Sequence, residues 1–189
     1  MNPVKIIVGF IPFVLFSLLG NWLPVNISAA AALVVGLVIL FANLRGGVKV
    51  VSLIQVVVLA AIAILGSLGN SGLNAFLAEY AHGFAPILLG LYILVTLPIR
   101  PFTEQYARAA VAREHWASPL FVSANRRLSA AWGVVVLALG VCHTISAVLE
   151  ANHTVSTIAA LAISWVVPVI LLLWALDLSK KAMSRRVEA

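Results

Sequence analysis

Charged side chains are scarce in this chain of 189 residues, since Asp, Glu, Lys and Arg together make up only 10% of it. Soluble domains carry about 25% charged residues, so a water-exposed surface of ordinary composition is excluded. Apolar residues replace the missing charges, at 63% of the chain and a mean hydropathy of +1.12. This composition predicts a protein whose surface lies in a lipid bilayer.

Cysteine and acidic residues are rare as well. Cys142 is the single cysteine, which excludes an intramolecular disulfide and a thiolate metal cluster. Six acidic residues stand against twelve basic ones, giving a net charge of +6. We interpret that excess as a basic membrane rim and not as a nucleic-acid surface, because membrane proteins concentrate Lys and Arg in their cytoplasmic connections.

Catalytic signatures are also missing from the sequence. It contains no glycine-rich phosphate loop, no GxSxG nucleophile elbow and no HxxH or HExxH spacing. The apolar runs hold no pair of carboxylates. We therefore expect a protein that is not an enzyme and that carries no cofactor.

Six apolar runs are long enough to cross a hydrocarbon core of about 30 Å as helices. Their hydrophobicity is continuous, whereas the strands of a membrane β-barrel alternate. We predict an all-α polytopic membrane helix bundle, with spans at residues 4–21, 24–43, 48–68, 83–99, 128–149 and 154–177. Residues 1–189 form one membrane domain, and the first run is expected to stay as a helix although it loosely imitates a secretory leader.

The basic residues are unevenly distributed among the connections. All twelve lie at the start of the first span, after the sixth span, or in and next to the connections that follow the second and fourth spans. By the positive-inside rule, both termini are expected in the cytoplasm of a bacterial cell, with the protein in its inner membrane.

Polar residues inside the runs mark candidate sites. In the fifth run, Ser129, His143 and Glu150 share one small or polar face with Gly133, Val136, Gly140 and Ala147, a spacing that predicts a seam against another helix. Gln55, in the third run, is expected to bond a neighbouring helix. Pro12 and Pro168 lie at similar depths and are expected to bend the first and sixth helices.

Histidines gather, by topology, on the side without basic residues. His82 and His153, with Glu79, lie in the connections near His143 and Glu150. Imidazole and carboxylate groups can bind a metal or haem, relay protons, or simply form structural hydrogen bonds, and all three interpretations stay open here.

The longest polar interval is the connection of residues 100–127. Phe102, Tyr106 and Ala109 share one side of a predicted short amphipathic helix in the membrane interface, and Pro119 is expected to force a turn. The candidate partner surface consists of the basic residues of this connection and its tryptophan: Arg100, Arg108, Arg113, Trp116, Arg126 and Arg127.

Three short motifs resemble the intracellular septation protein A family of bacterial inner-membrane proteins. They are Phe10-Ile11-Pro12-Phe13, Pro98-Ile99-Arg100-Pro101, and Trp116 to Leu120 followed by Asn125-Arg126 and Leu128-Ser129-Ala130-Ala131-Trp132. Members of that family are usually drawn with five spans, whereas this chain is predicted to have six. The resemblance implies a role in cell-envelope maintenance or division, with no catalytic residues to transfer.

Two functions follow as expectations. The first is a non-enzymatic protein that acts through membrane-protein partners of the division or envelope machinery. The alternative is a small transporter or proton-linked carrier that uses the polar seam of the fifth span, and a haem or metal redox protein is a further alternative. The lipid bilayer is the expected environment, nucleic acid is not an expected partner, and a homo-oligomer is compatible with the sequence.

Overall fold

A computed structural model describes residues 3–44, 47–109 and 111–184, with side chains between residues 6 and 181 of these ranges. Every regular element within them is helical. Arg45, Arg185 and Arg186, which contribute to the predicted basic side, lie outside the described residues, as does the side chain of Lys5. The α-helices are α1 (Pro3–Leu19), α2 (Val25–Ala42), α3 (Val50–Leu68), α4 (Ser71–Val95), α5 (Glu104–Ala107), α6 (Pro119–Ala151) and α7 (Thr157–Ser184).

Five of the described helices, α2, α3, α4, α6 and α7, are long and apolar enough to cross a membrane. The apolar part of α1 is shorter and covers Ile6–Leu19. The prediction of an all-α, multi-pass membrane helix bundle is therefore confirmed in its coarse form. Large apolar side chains such as Val34, Val57 and Ile170 are exposed on the outside of the bundle, as contact with lipid requires.

The fourth predicted span begins too late and ends too late. Instead of residues 83–99, α4 covers Ser71–Val95 and is 25 residues long. Asn70 caps it, because its side-chain oxygen accepts a hydrogen bond from the backbone N–H of Leu73 at 2.9 Å. Pro86 is consequently buried in the interior of the helix, whereas a helix starting at residue 83 would have placed it in the first turn.

The fifth predicted span is also longer than residues 128–149. Helix α6 has 33 residues and begins at Pro119, which does not force a turn but occupies the first helical position. The hydroxyl of Ser118 accepts a hydrogen bond from the N–H of Phe121 at 3.2 Å and caps this start. The polar interval thus ends at Ser118, and Arg126 and Arg127 project from α6 itself.

The predicted amphipathic helix in the membrane interface is wrong in extent and in position. Within the described part of the connection, α-helix is confined to the four residues of α5, followed by a 3-10 turn at Arg113–His115. The apolar side chains Phe102 and Tyr106 are buried against the bundle and do not face lipid. They cover its end because Phe102 contacts Phe10 of α1 and the Tyr106 hydroxyl lies beside Gly9 of the same helix.

Glycines bring α4 and α6 into close antiparallel contact. A Cβ atom on Gly90 would lie 2.6 Å from the backbone nitrogen of Leu137, and one on Gly140 would lie 2.6 Å from the nitrogen of Ile87. Side chains at these positions would push the two backbones apart. The seam predicted for the fifth span does pack against another helix at this level, and that helix is α4.

The other neighbouring helices are antiparallel as well. Gly66 of α3 lies beside Asn26 of α2, and Gly36 of α2 lies beside both Val56 of α3 and Pro12 of α1. Helices α6 and α7 are joined by the Ser146 hydroxyl, which donates to the Ala160 carbonyl at 2.7 Å. The chain therefore runs up and down through a bundle with two distinct ends.

We call the first of these the basic end, because it carries all the Lys and Arg side chains that the structure describes. An aromatic cluster fills it. Phe10 stacks on Trp132 with ring centroids 5.8 Å apart, and Phe102 meets both Phe10 and Tyr106 edge-on. Burial in this cluster raises the pKa of Tyr106 to about 12.

A polar network ties the connection to α6 under this cluster. The hydroxyl of Thr103 donates to the backbone carbonyl of Asn125 at 3.0 Å and is 2.9 Å from the hydroxyl of Ser129. Ser129 also accepts the Thr103 backbone N–H at 3.1 Å. All three residues are fully buried, so each hydrogen bond satisfies a group that water cannot reach.

Candidate functional site

A polar cavity of about 390 Å³ lies at the opposite end of the bundle, which we call the cavity end. Helices α1, α4, α6 and α7 enclose it, and four ionisable side chains line it: Glu79, His82, His143 and Glu150. The two carboxylates are exposed at the rim, whereas the two imidazoles are partly buried. The structure therefore brings together two of the three histidines and both of the glutamates that the sequence placed on this side.

His82 is held in the cavity wall by an aromatic ring. Its imidazole stacks on Phe16 of α1, with centroids 4.3 Å apart and an interplanar angle of 14°. Gly20, one turn further along α1, leaves the space for this ring, because a methyl group there would overlap it. The sequence offers no periodic signal for this arrangement, since it joins helices that are distant along the chain.

His143 is positioned in a similar way from α6. Its imidazole packs edge-on against Trp165 of α7, with centroids 5.3 Å apart and an interplanar angle of 88°. The Nε2 atoms of His82 and His143 are both buried, and neither has a hydrogen-bond partner in the described part of the chain. Aromatic packing helps to hold both rings, and their Nε2 atoms retain unused hydrogen-bonding capacity.

The remaining polar residues of the cavity were not predicted from the sequence. They are Ser17 and Asn21 from α1, Ser146 from α6, and Ser164 and Trp165 from α7. The available signal was weak, because isolated serines in apolar helices usually bond their own backbone. Ser164 does so here, donating to the Ala160 carbonyl at 2.9 Å.

Three candidate residues lie elsewhere. His153 follows α6 in a left-handed conformation, with φ of 53°, and does not line the cavity. Ser129 belongs to the network at the basic end, far along α6 from His143, so the predicted seam divides into a packing part and a cavity part. Gln55 is buried in α3, and its Nε2 has no hydrogen-bond partner among the described residues, contrary to the expected bond to a neighbouring helix.

The ligand chemistry of the cavity follows from its charges. No Lys or Arg belongs to the described lining, whereas Glu79 and Glu150 both do. No group of three or more His, Cys, Asp or Glu side chains in residues 3–44, 47–109 and 111–184 is arranged to hold a metal ion. The cavity is suited to a cation that two carboxylates attract, next to imidazoles that can exchange protons.

An apolar cleft adjoins the polar cavity on the side of the basic end. It measures about 400 Å³ and is lined by α1, α6 and α7, together with Pro86 of α4. Trp165 borders both spaces, and Pro168 lines the cleft one turn further along α7. Helices α1 and α7 therefore flank the apolar cleft, which extends from the polar cavity toward the aromatic cluster.

The candidate partner surface is partly used inside the molecule. Arg108 forms an ion pair with Glu104, and its guanidinium lies 4.6 Å from the ring centroid of Trp116. The indole N–H of Trp116 donates to the Val111 carbonyl at 2.9 Å. Arg126 donates to the carbonyl of Pro98 at 3.3 Å.

The other members of that surface, Arg100, Arg113 and Arg127, have exposed side chains. The six residues therefore do not form one uniform surface.

Comparison of the whole chain with protein-family models, with curated proteins and with solved structures gives no match in any of the three.

Proposed function

We propose that the chain is a six-span protein of the bacterial inner membrane with both termini in the cytoplasm. Two observations support six spans. The long helices alternate in direction, and the described Lys and Arg side chains gather at one end, as the positive-inside rule requires. Helix α1, with 17 residues, is about 26 Å long and close to the thickness of a hydrocarbon core.

Within this membrane protein, we infer that the polar cavity binds a small cationic solute and that the protein is a proton-linked carrier for it. One observation supports this function above the others: Glu79, His82, His143 and Glu150 line a single cavity with no described basic side chain. Ionisable side chains inside membrane helices are costly, which favours a functional role for them.

Each residue type has a separate task in this proposal. The carboxylates of Glu79 and Glu150 attract the cation at the rim of the cavity. The ring face of Trp165 offers a cation–π contact deeper inside. His82 and His143 exchange protons with the cavity through their Nε2 atoms, which have no partner among the described residues.

Access from the cytoplasm requires a movement of α1 and α7 relative to the glycine-packed pair α4 and α6. The aromatic cluster around Phe10 and Trp132 closes the basic end in the described state. Pro12 in α1 and Pro168 in α7 interrupt the hydrogen bonding of the two helices that flank the apolar cleft. These are the places where a bend can change.

Transport assays in proteoliposomes test this function. Tetramethylammonium and choline are suitable probes, because they are small permanent cations that cross a bilayer poorly without a carrier. We expect uptake that is accompanied by proton movement, reported by a pH-sensitive dye inside the vesicles. His143→Ala and Glu150→Gln should reduce uptake at least tenfold.

Ile145→Ala is the matched control, because Ile145 lies on the same helix with an exposed side chain outside the cavity. Its uptake should equal that of the wild type. Wild-type uptake that persists in His143→Ala would contradict the proposal. Uptake without proton movement would restrict it to an uncoupled carrier.

As a second candidate, we propose that the basic end binds a membrane-protein partner of the division or envelope machinery, as the resemblance to the septation family implies. The observation in its favour is that Arg113 and Arg127 are exposed at the basic end. Co-purification from the native membrane tests it. A partner lost with Arg113→Ala and Arg127→Ala would support this function, and one retained by both variants would contradict it.

A further inference from the structure

A second polar pocket, which we call the basic pocket, lies at the basic end and has no role in the proposed carrier function. It measures about 360 Å³ and lies between the start of α3 and the connection that follows α4. Lys49 from the start of α3 lines it, together with Arg100 and Arg108 from the connection. No acidic side chain belongs to its described lining, and Glu104 offsets only one of the three positive charges, that of Arg108.

Two of these cations are fixed in place. The ammonium group of Lys49 donates to the backbone carbonyl of Gln105 at 2.9 Å and lies 5.4 Å from the ring centroid of Tyr106. Arg108 is held by the carboxylate of Glu104 and by the ring of Trp116. The ordering of these long side chains is therefore already provided by the fold, which lowers the entropic cost of binding a ligand.

The same connection attaches the wall of the pocket to α3. The side-chain oxygen of Gln105 accepts the backbone N–H of Val50, the first residue of α3, at 3.0 Å. The N-terminal end of α3 thus faces the pocket, and a helix N-terminus carries a partial positive charge. This dipole adds to the charges of the three cations.

Arg100 differs from the other two cations. Its side chain is exposed, and no hydrogen bond or ion pair joins its guanidinium to another residue that the structure describes. A guanidinium in this position is available for a bidentate hydrogen bond to phosphate oxygens. The pocket therefore combines two pre-positioned cations with one that is ready to engage a ligand.

The surroundings of the pocket indicate what kind of molecule would supply a phosphate to it. Ile99, next to Arg100, is 86% exposed, and Val48, next to Lys49, is 47% exposed. Apolar side chains flanking a basic pocket at the ends of membrane helices match the junction of a lipid headgroup with its acyl chains. We propose that the basic pocket binds the phosphate of an anionic lipid, with Arg100 as the residue that contacts it.

Thermal unfolding of the purified full chain in detergent tests this proposal. Added phosphatidylglycerol should raise the unfolding temperature more than phosphatidylcholine with the same acyl chains, because a ligand that binds only the folded state stabilises it. Arg100→Gln should weaken the apparent affinity for phosphatidylglycerol about fivefold, the effect of one basic residue near an anionic headgroup.

Lys180→Gln is the matched control. It removes the same charge from an exposed side chain at the basic end that does not line the pocket, and it should keep the wild-type affinity. Without lipid, Arg100→Gln should unfold at the wild-type temperature, which separates lost binding from lost folding. Equal weakening by the two substitutions, or no preference for phosphatidylglycerol, would overturn the proposal.

A parallel titration with inorganic phosphate distinguishes the two sources of phosphate. If the occupant is a lipid, millimolar phosphate should leave the unfolding temperature unchanged. Stabilisation by inorganic phosphate as strong as that by phosphatidylglycerol, and sensitive to Arg100→Gln, would overturn the lipid as the occupant and identify a soluble anion instead.

Discussion

The two ends of the bundle use their polar residues in opposite ways. At the basic end, Thr103, Asn125 and Ser129 satisfy one another in a buried network. At the cavity end, His82 and His143 are placed by aromatic contacts, and their Nε2 atoms have no partner within the described residues. The first arrangement stabilises the fold, and the second leaves hydrogen-bonding capacity for a ligand.

The two ends also differ in the sign of their charged side chains. The described Lys and Arg side chains lie at the basic end, whereas Glu79 and Glu150 are the acidic residues of the polar cavity. Buried and fully paired polar groups contribute to stability, and unpaired ones reduce it. Substitutions at the two ends should therefore separate stability from function, and the following predictions are ordered by the size of the expected change.

The largest change in stability should come from Thr103→Val. Valine keeps the shape of threonine but removes the hydroxyl that Asn125 and Ser129 share, leaving buried polar groups unpaired. We expect the free energy of unfolding to fall by about 1–3 kcal/mol. Chemical unfolding in detergent measures it, with Ser123→Ala as the control because Ser123 is exposed. Equal values for both variants would show that the network contributes nothing.

Gly20→Ala should have an intermediate effect at the cavity end. The new methyl group would overlap the imidazole of His82 and force it off Phe16. We expect a loss of about 1 kcal/mol, the size of one aromatic pair, together with reduced solute uptake. Gly72→Ala is the control, because a Cβ atom there meets nothing closer than 3.6 Å. Unchanged uptake would indicate that the position of His82 is unimportant.

His143→Phe should leave stability almost unchanged while abolishing uptake. Phenylalanine preserves the edge contact with Trp165 and removes a buried ring nitrogen that has no partner in the described structure. We expect the free energy of unfolding to change by less than about 0.5 kcal/mol, or to rise. A loss as large as that of Thr103→Val would mean that His143 is a structural residue, and the contrast between the ends would fail.

The effect that is smallest at neutral pH concerns the ionisation of Tyr106 at the basic end. Burial raises the pKa of Tyr106 to about 12 from a usual 10.0. As pH rises through this window, the unfolded chain loses the phenol proton before the folded chain does, so stability falls. Ultraviolet titration should show a phenolate step near pH 12 in the wild type that is missing in Tyr106→Phe. A step near pH 10 for this residue would indicate an open, hydrated basic end.

Much of the fold could be predicted from the sequence, because continuous apolar runs are a strong signal for membrane helices. The errors concern helix ends. Helix α4 begins at Ser71 because Asn70 caps it, and α6 begins at Pro119 because Ser118 caps it. Such capping residues are local signals that a hydropathy pattern does not include. The burial of Phe102 and Tyr106 was not predictable in this way, since it depends on contacts with distant helices.

The candidate site was predictable in part. Topology alone placed His82, His143, Glu79 and Glu150 on one side, and the structure shows that they share a cavity. Topology could not exclude His153, which follows α6 in a left-handed conformation and does not line the cavity. It could not find Trp165 or Phe16 either, because an aromatic residue in an apolar helix has no distinguishing pattern.

Cysteine accessibility tests most directly the claim that the polar cavity opens to the outer side of the membrane. In a Cys142→Ala background, Ala147→Cys places a thiol in the cavity wall, and Ile145→Cys places one on the exposed apolar face of the same helix. A membrane-impermeant maleimide added outside spheroplasts should label Ala147→Cys within minutes and leave Ile145→Cys unlabelled. Labelling of Ala147→Cys only after the membrane is permeabilised, or equal labelling of both thiols, would contradict the account.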